Sequence, residues 1–139
     1  MSAFWWALLT AGIWGVVPLM EKIGLAGGSP AVAVVVRSFG VVAGLLVFGW
    51  TLAPVAALRS LSWFSVALLM GGGFLASFVG QFAFYHALRS GAVSQVTPVA
   101  GAYPLVAALL GWWVLREPLT LSRLLGVACV VAGVLLLRR

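Results

Sequence analysis

The sequence predicts an all-α polytopic membrane protein with five transmembrane helices. Three observations carry that prediction: 64% of the 139 residues are hydrophobic, 7% are charged, and five apolar runs of near-spanning length follow one another. A soluble domain carries about 25% charged residues, so this chain has too few to clothe itself in water. A bilayer core of roughly 30 Å takes about 20 helical residues at 1.5 Å each. A transmembrane β-barrel would instead show alternating strands of about ten residues, and the sequence does not.

The first span covers residues 3–20. It lacks the basic start of a secretory leader and four more spans follow, so it reads as a membrane helix rather than a cleaved signal. The glycine-rich link EKIGLAGGS leads to the second span at 30–52, and APVAALRSLS, with its proline, leads to the third at 63–88. The tight link RSG opens the fourth span at 92–115. REPLT is a stop followed by a new start, and the fifth span covers 121–137. No link is long enough to separate two domains, so residues 1–139 read as a single membrane domain. Cys129 is the only cysteine and lies inside the fifth span, so no internal disulfide or cysteine metal cluster is possible. It reads as a small packing residue. The net charge is +6, with basic residues mostly flanking the spans singly. Membrane lipids, through their phosphate headgroups, are therefore the expected partner rather than nucleic acid.

The fourth span holds Pro98 and Pro104 with Gly101 between them. Within lipid every backbone polar group must be satisfied internally, and a proline frees a carbonyl one turn back. Such a helix is tolerated where other helices cover it or where it lines a water-filled cavity. Broken or kinked spans near the midplane are where transporters place substrate. The kink reads as structural, and what it exposes as functional.

Polar residues form stripes on three spans. Ser77, Gln81 and Tyr85 are spaced four apart, so they share one helix face. A mid-span glutamine must find a partner or water. Interhelical hydrogen bonding, worth only about 0.6 kcal/mol on average, stands level with substrate contact for Gln81 and ahead of it for Ser77. Thr10, Trp14, Pro18 and Glu21 share a face of the first span, and Trp14 lies too deep for the interfacial belt. It reads as a core filler or, facing Gln81, as a stacking surface for a flat or cationic ligand. Ser94, Thr97 and Gly101 share a face of the fourth span. The substrate-binding candidates are therefore Thr10, Trp14, Ser77, Gln81, Tyr85 and Thr97.

Charges within the membrane are few. Arg37 lies seven residues into the second span, roughly 10 Å deep by helix rise. It reads as a structural anchor that snorkels to headgroups or pairs with Glu21. Glu21 and Glu117 are the only acids. Glu117, beside Arg116, is expected to cap or pair locally. Glu21 is the one plausible proton-linked group, though placed near the water side. His86 is the second titratable candidate for coupling, and otherwise an interfacial residue near Arg89. Gly40 with Gly44, Gly71-Gly72-Gly73 with Gly80, and Gly126 with Gly133 read as structural positions that let helix backbones approach closely. No Ser/His/Asp set, His-rich helix or paired carboxylates point to an enzyme, and no catalytic residue, metal or cofactor is expected.

Several motifs fall in a telling order. Tyr85-His86-Ala87-Leu88 closes the third span, residues 92–95 give the fourth a small-residue start, and Pro104 lies in its middle. Glu117-Pro118 follows, then Gly126 and Gly133 in the fifth span; IWGVVPLMEK and Arg37 match at the front. In this order and spacing the chain resembles, over nearly its whole length, an EamA domain of the drug/metabolite transporter superfamily. Members usually carry two such domains in tandem. The resemblance therefore implies a half-size member, one half of an inverted-repeat ten-helix transporter. The related small multidrug resistance proteins use a glutamate deep in span one. Here Thr10 and Trp14 occupy that depth, so their proton–drug exchange does not simply transfer.

The resulting expectation is a transporter of small organic molecules, such as amino acids, other metabolites or amphipathic compounds. It would work by alternating access through a cavity lined by spans one, three and four. A non-transport scaffold or a lipid-carrier flippase subunit is the alternative; a scaffold would need only glycine faces, whereas polar stripes favour a cavity. Five spans put the termini on opposite sides. Arg59, Arg116 and Arg123 fall on the N-terminal side, and Lys22, Arg89, Arg138 and Arg139 on the other. Three against four gives almost no orientation signal. Trp5, Trp6, Trp50, Trp63, Trp112 and Trp113 fall toward the N-terminal side, so two opposed chains would anchor both interfaces. The expected assembly is an antiparallel homodimer, or a pair with a similar half-size chain, in the bacterial cytoplasmic (inner) membrane.

Overall fold

A computed structural model describes residues 3–52, 59–118 and 120–137. Arg138, Arg139 and the Trp50 side chain lie outside this description. Every regular element is helical: α1 (Ala3–Gly24), a 3-10 turn (Leu25–Gly27), α2 (Pro30–Leu52), α3 (Trp63–Phe74), a π-helical turn (Leu75–Gly80), α4 (Gln81–Ser90), α5 (Val93–Ala100), α6 (Tyr103–Leu115) and α7 (Leu121–Leu137). Four stretches are long and apolar enough to cross a membrane: Phe4–Gly27, Pro30–Gly49, Trp63–Ser90 and Val93–Leu115. The fifth apolar run forms α7, a shorter helix of 17 residues. The described residues therefore give four spanning-length helices and a shorter fifth. They divide into two compact units, Met1–Ser90 and Gly91–Arg139.

In the first unit α4 packs against both α2 and α1. The buried apolar side chains are Leu25, Val34, Tyr85 and Leu88, and Pro18 and Pro30 are buried with them. The first unit's small core thus gathers where α1 turns into α2 and meets α4. Elsewhere the apolar surface is bare: Leu46 is 77% and Trp63 89% exposed. Such a surface suits lipid or another helix as neighbour, not water.

The helix ends follow from local chemistry. Ser29, Ser62 and Thr120 each precede an apolar run, and their hydroxyl oxygens accept from the amides of Val32 (3.3 Å), Ser65 (3.0 Å) and Arg123 (3.4 Å). Those amides belong to first turns, where no intrahelical acceptor exists. At the other ends, Lys22 Nζ donates to the Leu88 carbonyl, and Gln95 Nε2 donates to the Leu137 carbonyl at 3.0 Å. α6 ends in a left-handed residue, Arg116, with φ 54°. The Glu117 amide there donates back to the Gly111 carbonyl at 3.1 Å, and Pro118 stops any continuation.

Two irregularities matter for function. Glycine is a poor helix former, and Gly71-Gly72-Gly73 and Gly80 flank or fall in the π-helical turn of the third span. Such turns shift the helix face by an extra residue and often mark functional sites. The fourth span breaks at Gly101-Ala102, where the Gly101 amide donates to Thr97 O at 2.7 Å and that of Ala102 to Val99 O at 3.2 Å. Pro98 precedes the break, and Pro104 lies in the first turn of α6, where a missing N–H costs nothing. The two prolines thus bracket a designed interruption rather than a single kink. A β-carbon on Gly101 would sit 3.0 Å from Thr97 O, a backbone atom.

Gly40, Gly44, Gly71, Gly72, Gly73, Gly126 and Gly133 behave differently from the sequence expectation. An added β-carbon at any of them would meet nothing within 4 Å. Among the described residues no close backbone approach is made to them. Gly80 is tight, 3.1 Å from Leu75 O, but that contact lies inside the π-helical turn itself. Gly101→Ala is accordingly expected to cost about 1 kcal/mol, seen as a lower Tm of the detergent-purified protein. Gly126→Ala should leave the Tm unchanged.

Candidate functional site

Three helices of the first unit converge on one carboxylate. Glu21, in the last turns of α1, accepts on Oε1 from Gln81 Nε2 and from the Tyr85 hydroxyl, each at 2.9 Å. Arg37 Nε of α2 approaches the same oxygen at 3.4 Å. Gln81 and Tyr85 lie one turn apart on α4, which brings both to the same point. α4 packs against both other helices, so it delivers these donors between Glu21 and Arg37. The Glu21 side chain is 11% exposed and that of Arg37 32%. Shielding of this degree strengthens the Coulomb attraction and raises the desolvation cost together, so the added hydrogen bonds matter. Arg37 therefore takes the Glu21 partnership, one of the two roles its depth allowed.

Glu21 is less open to water than its position near a helix end suggests, because Gln81, Tyr85 and Arg37 surround it. Among the described residues, two buried side-chain polar atoms have no hydrogen-bond partner: Arg37 Nη1 and Thr97 Oγ1. Buried polar groups are nearly always paired, so each such atom calls for a reason.

The first unit's remaining candidates stand apart from this cluster. Trp14 is 58% exposed on α1, about two turns before Glu21. Between them Pro18 is buried and withholds the amide that would serve the Trp14 carbonyl. The Thr10 hydroxyl donates to Trp6 O at 2.9 Å, a bond within its own helix. Ser77 is exposed in the π-helical turn, which interrupts the regular spacing that would have placed it with Gln81 and Tyr85. His86 is exposed, its ring edge-on to Phe82 at 4.6 Å, and it lies outside the cluster. Thr97 belongs to the second unit. Glu117 does pair locally, but with Arg123 at 3.2 Å rather than with Arg116, whose left-handed backbone ends the helix. Among the described residues no three His, Cys, Asp or Glu side chains gather as a metal site requires.

The four helices of spanning length, the broken fourth span and the part-buried Glu21 cluster meet a sequence match that decides the family. Residues 1–139 match the EamA-like transporter family throughout. The chain belongs to the EamA-like transporter family. An uncharacterized transporter in the cobO 3′ region of Sinorhizobium sp is 29% identical over 142 residues, covering 99% of this chain and 98% of that protein. That relative is thus about as long as this chain. The uncharacterized protein MJ1333.1 of Methanocaldococcus jannaschii is 32% identical over 59 residues, 42% of this chain and 43% of its own length. No solved structure matches. EamA membership and the apolar helices make this a membrane protein of a transporter family rather than of an enzyme family.

Proposed function

We propose that this EamA protein moves small organic molecules, such as amino acids, other metabolites or amphipathic compounds, across the bacterial cytoplasmic membrane by alternating access. Its working unit is an antiparallel homodimer or a pair with a similar half-size chain. The observation that supports this most is the Glu21 cluster. Three helices meet at one shielded carboxylate, and beside it the buried Arg37 Nη1 has no partner. A substrate bearing an acceptor group would satisfy that nitrogen. In this reading Glu21 holds a proton or a substrate cation, with Gln81 and Tyr85 fixing its orientation. Trp14, on the same helix, offers a ring to a flat or cationic substrate. α7, at 17 residues, falls at the short end of the range of about 17–25 for a spanning helix. As the fifth crossing it makes the number odd, so that a second copy inserted upside down supplies the inverted unit that alternating access uses.

Single cysteines at Trp14, Gln81 and Thr97, on a background with Cys129 replaced, test the cavity. They should react with a small charged thiol reagent, whereas a cysteine at Leu46, on the bare face of α2, should not. If the three are as inert as the Leu46 position, the scaffold or flippase-subunit alternative gains and the cavity is lost.

A further inference from the structure

The second unit holds a cavity of its own, about 480 Å³, lined by α6 and α7 residues and by Glu117. Leu105, Ala108, Val127 and Val130 give it apolar walls, and Gly126 lines it without a side chain. The lining extends from Pro104 to Trp112, a rise of roughly 12 Å along α6. Glu117 and Arg123 also line it, paired at 3.2 Å and each 52% exposed. They lie at the link between two apolar helices, the place where such helices leave the hydrocarbon for the headgroup layer. The result is an apolar-walled trough with one negative and one positive group in its lining.

We propose that this trough binds a zwitterionic phospholipid of the ethanolamine type. One acyl chain lies along α6 and α7, and the headgroup engages Glu117 and Arg123. An anionic head would satisfy Arg123 and leave Glu117 facing like charge. A zwitterionic head exchanges the ion pair partner for partner: its phosphate takes the guanidinium, and its ammonium, with N–H donors, takes the carboxylate. Both side chains are held for this. Arg123 Nη1 also donates to Pro118 O at 2.9 Å. The Glu117 carboxyl lies over Gly111, where an added β-carbon would sit 3.5 Å from its Cδ. The volume lies within the roughly 300–1,000 Å³ of small-molecule sites. None of this depends on the transport reading or on the Glu21 cluster.

The test uses the full chain purified in detergent, with phosphatidylethanolamine, phosphatidylglycerol or phosphatidylcholine of identical acyl chains added. Lipid retained is counted by native mass spectrometry, and Tm is recorded alongside. The ethanolamine lipid should be retained in preference to the other two and should raise Tm. Arg123→Gln and Glu117→Gln should each weaken its retention about tenfold, the loss of one charge-assisted hydrogen bond. Gly126→Leu should abolish retention while the protein stays folded, because nothing lies within 4 Å of the new β-carbon. Ala108→Leu, projecting from the other helix, gives the same readout should Gly126→Leu not fold. Equal retention of the three lipids, preference for phosphatidylglycerol, or undiminished binding in the filled variants would overturn the proposal.

Discussion

Glu21→Ala should destabilise the protein by about 3 kcal/mol, near the low end for removing one partner of a buried ion pair, because this pair is only partly buried. The loss falls on three donors at once. Gln81 Nε2 and the Tyr85 hydroxyl lose their 2.9 Å acceptor, and Arg37 loses its counter-charge. The low end applies because Arg37 keeps 32% of its side-chain exposure and can turn partly toward water. Glu21→Gln should cost less, since an amide oxygen still accepts from Gln81 and Tyr85 but offers Arg37 no charge. Adding Arg37→Met to Glu21→Ala should recover a large part of the loss by removing the stranded cation. Denaturant or thermal unfolding of the wild type, Glu21→Ala, Arg37→Met and the double variant in one detergent measures this as a double-mutant cycle. Additive single and double effects would mean that Glu21 and Arg37 do not act on each other.

Leu88→Ala should cost about 2 kcal/mol, at the lower limit for a buried Leu→Ala change. Leu88 is 0% exposed, while most large apolar side chains of the chain are bare. Its loss removes packing contacts where α4 meets its neighbours. The cost stays low because lipid is as apolar as the core, so dispersion contacts rather than transfer from water are forfeited. Leu46→Ala, at a site 77% exposed, should leave Tm within error. Equal effects at the two positions would contradict the picture of a small core at the α1–α2 turn.

Periodicity and composition revealed the helices because those are local properties. The apolar runs, the serine and threonine starts and the proline-bracketed break all act within a few residues of themselves. The family was legible for the same reason, in the order of Trp-Gly, Arg37, Pro104 and Glu117-Pro118. The site was legible only in part. The spacing of Gln81 and Tyr85 gave their shared face, but a stripe does not say which helix it meets, and their acceptor proved to be Glu21. Spacing alone puts Ser77 on that stripe, because the π-helical turn leaves no mark in regular spacing beyond a cluster of glycines. The glycine faces show no contact among the described residues, since a small-residue pattern does not say what packs against it. Glu117 finds its partner six residues on because Arg116 turns left-handed and leaves the helix line.

We propose that two oppositely inserted copies make the transporter, and C-terminal reporter fusions test this most directly. One reporter active only in the cytoplasm and one active only outside it should both give signal from the same chain. Adding a single lysine beside Arg59 should shift the balance one way, and adding one beside Arg89 should shift it the other. Signal on one side alone, with no inverted partner chain in the purified complex, would contradict the account.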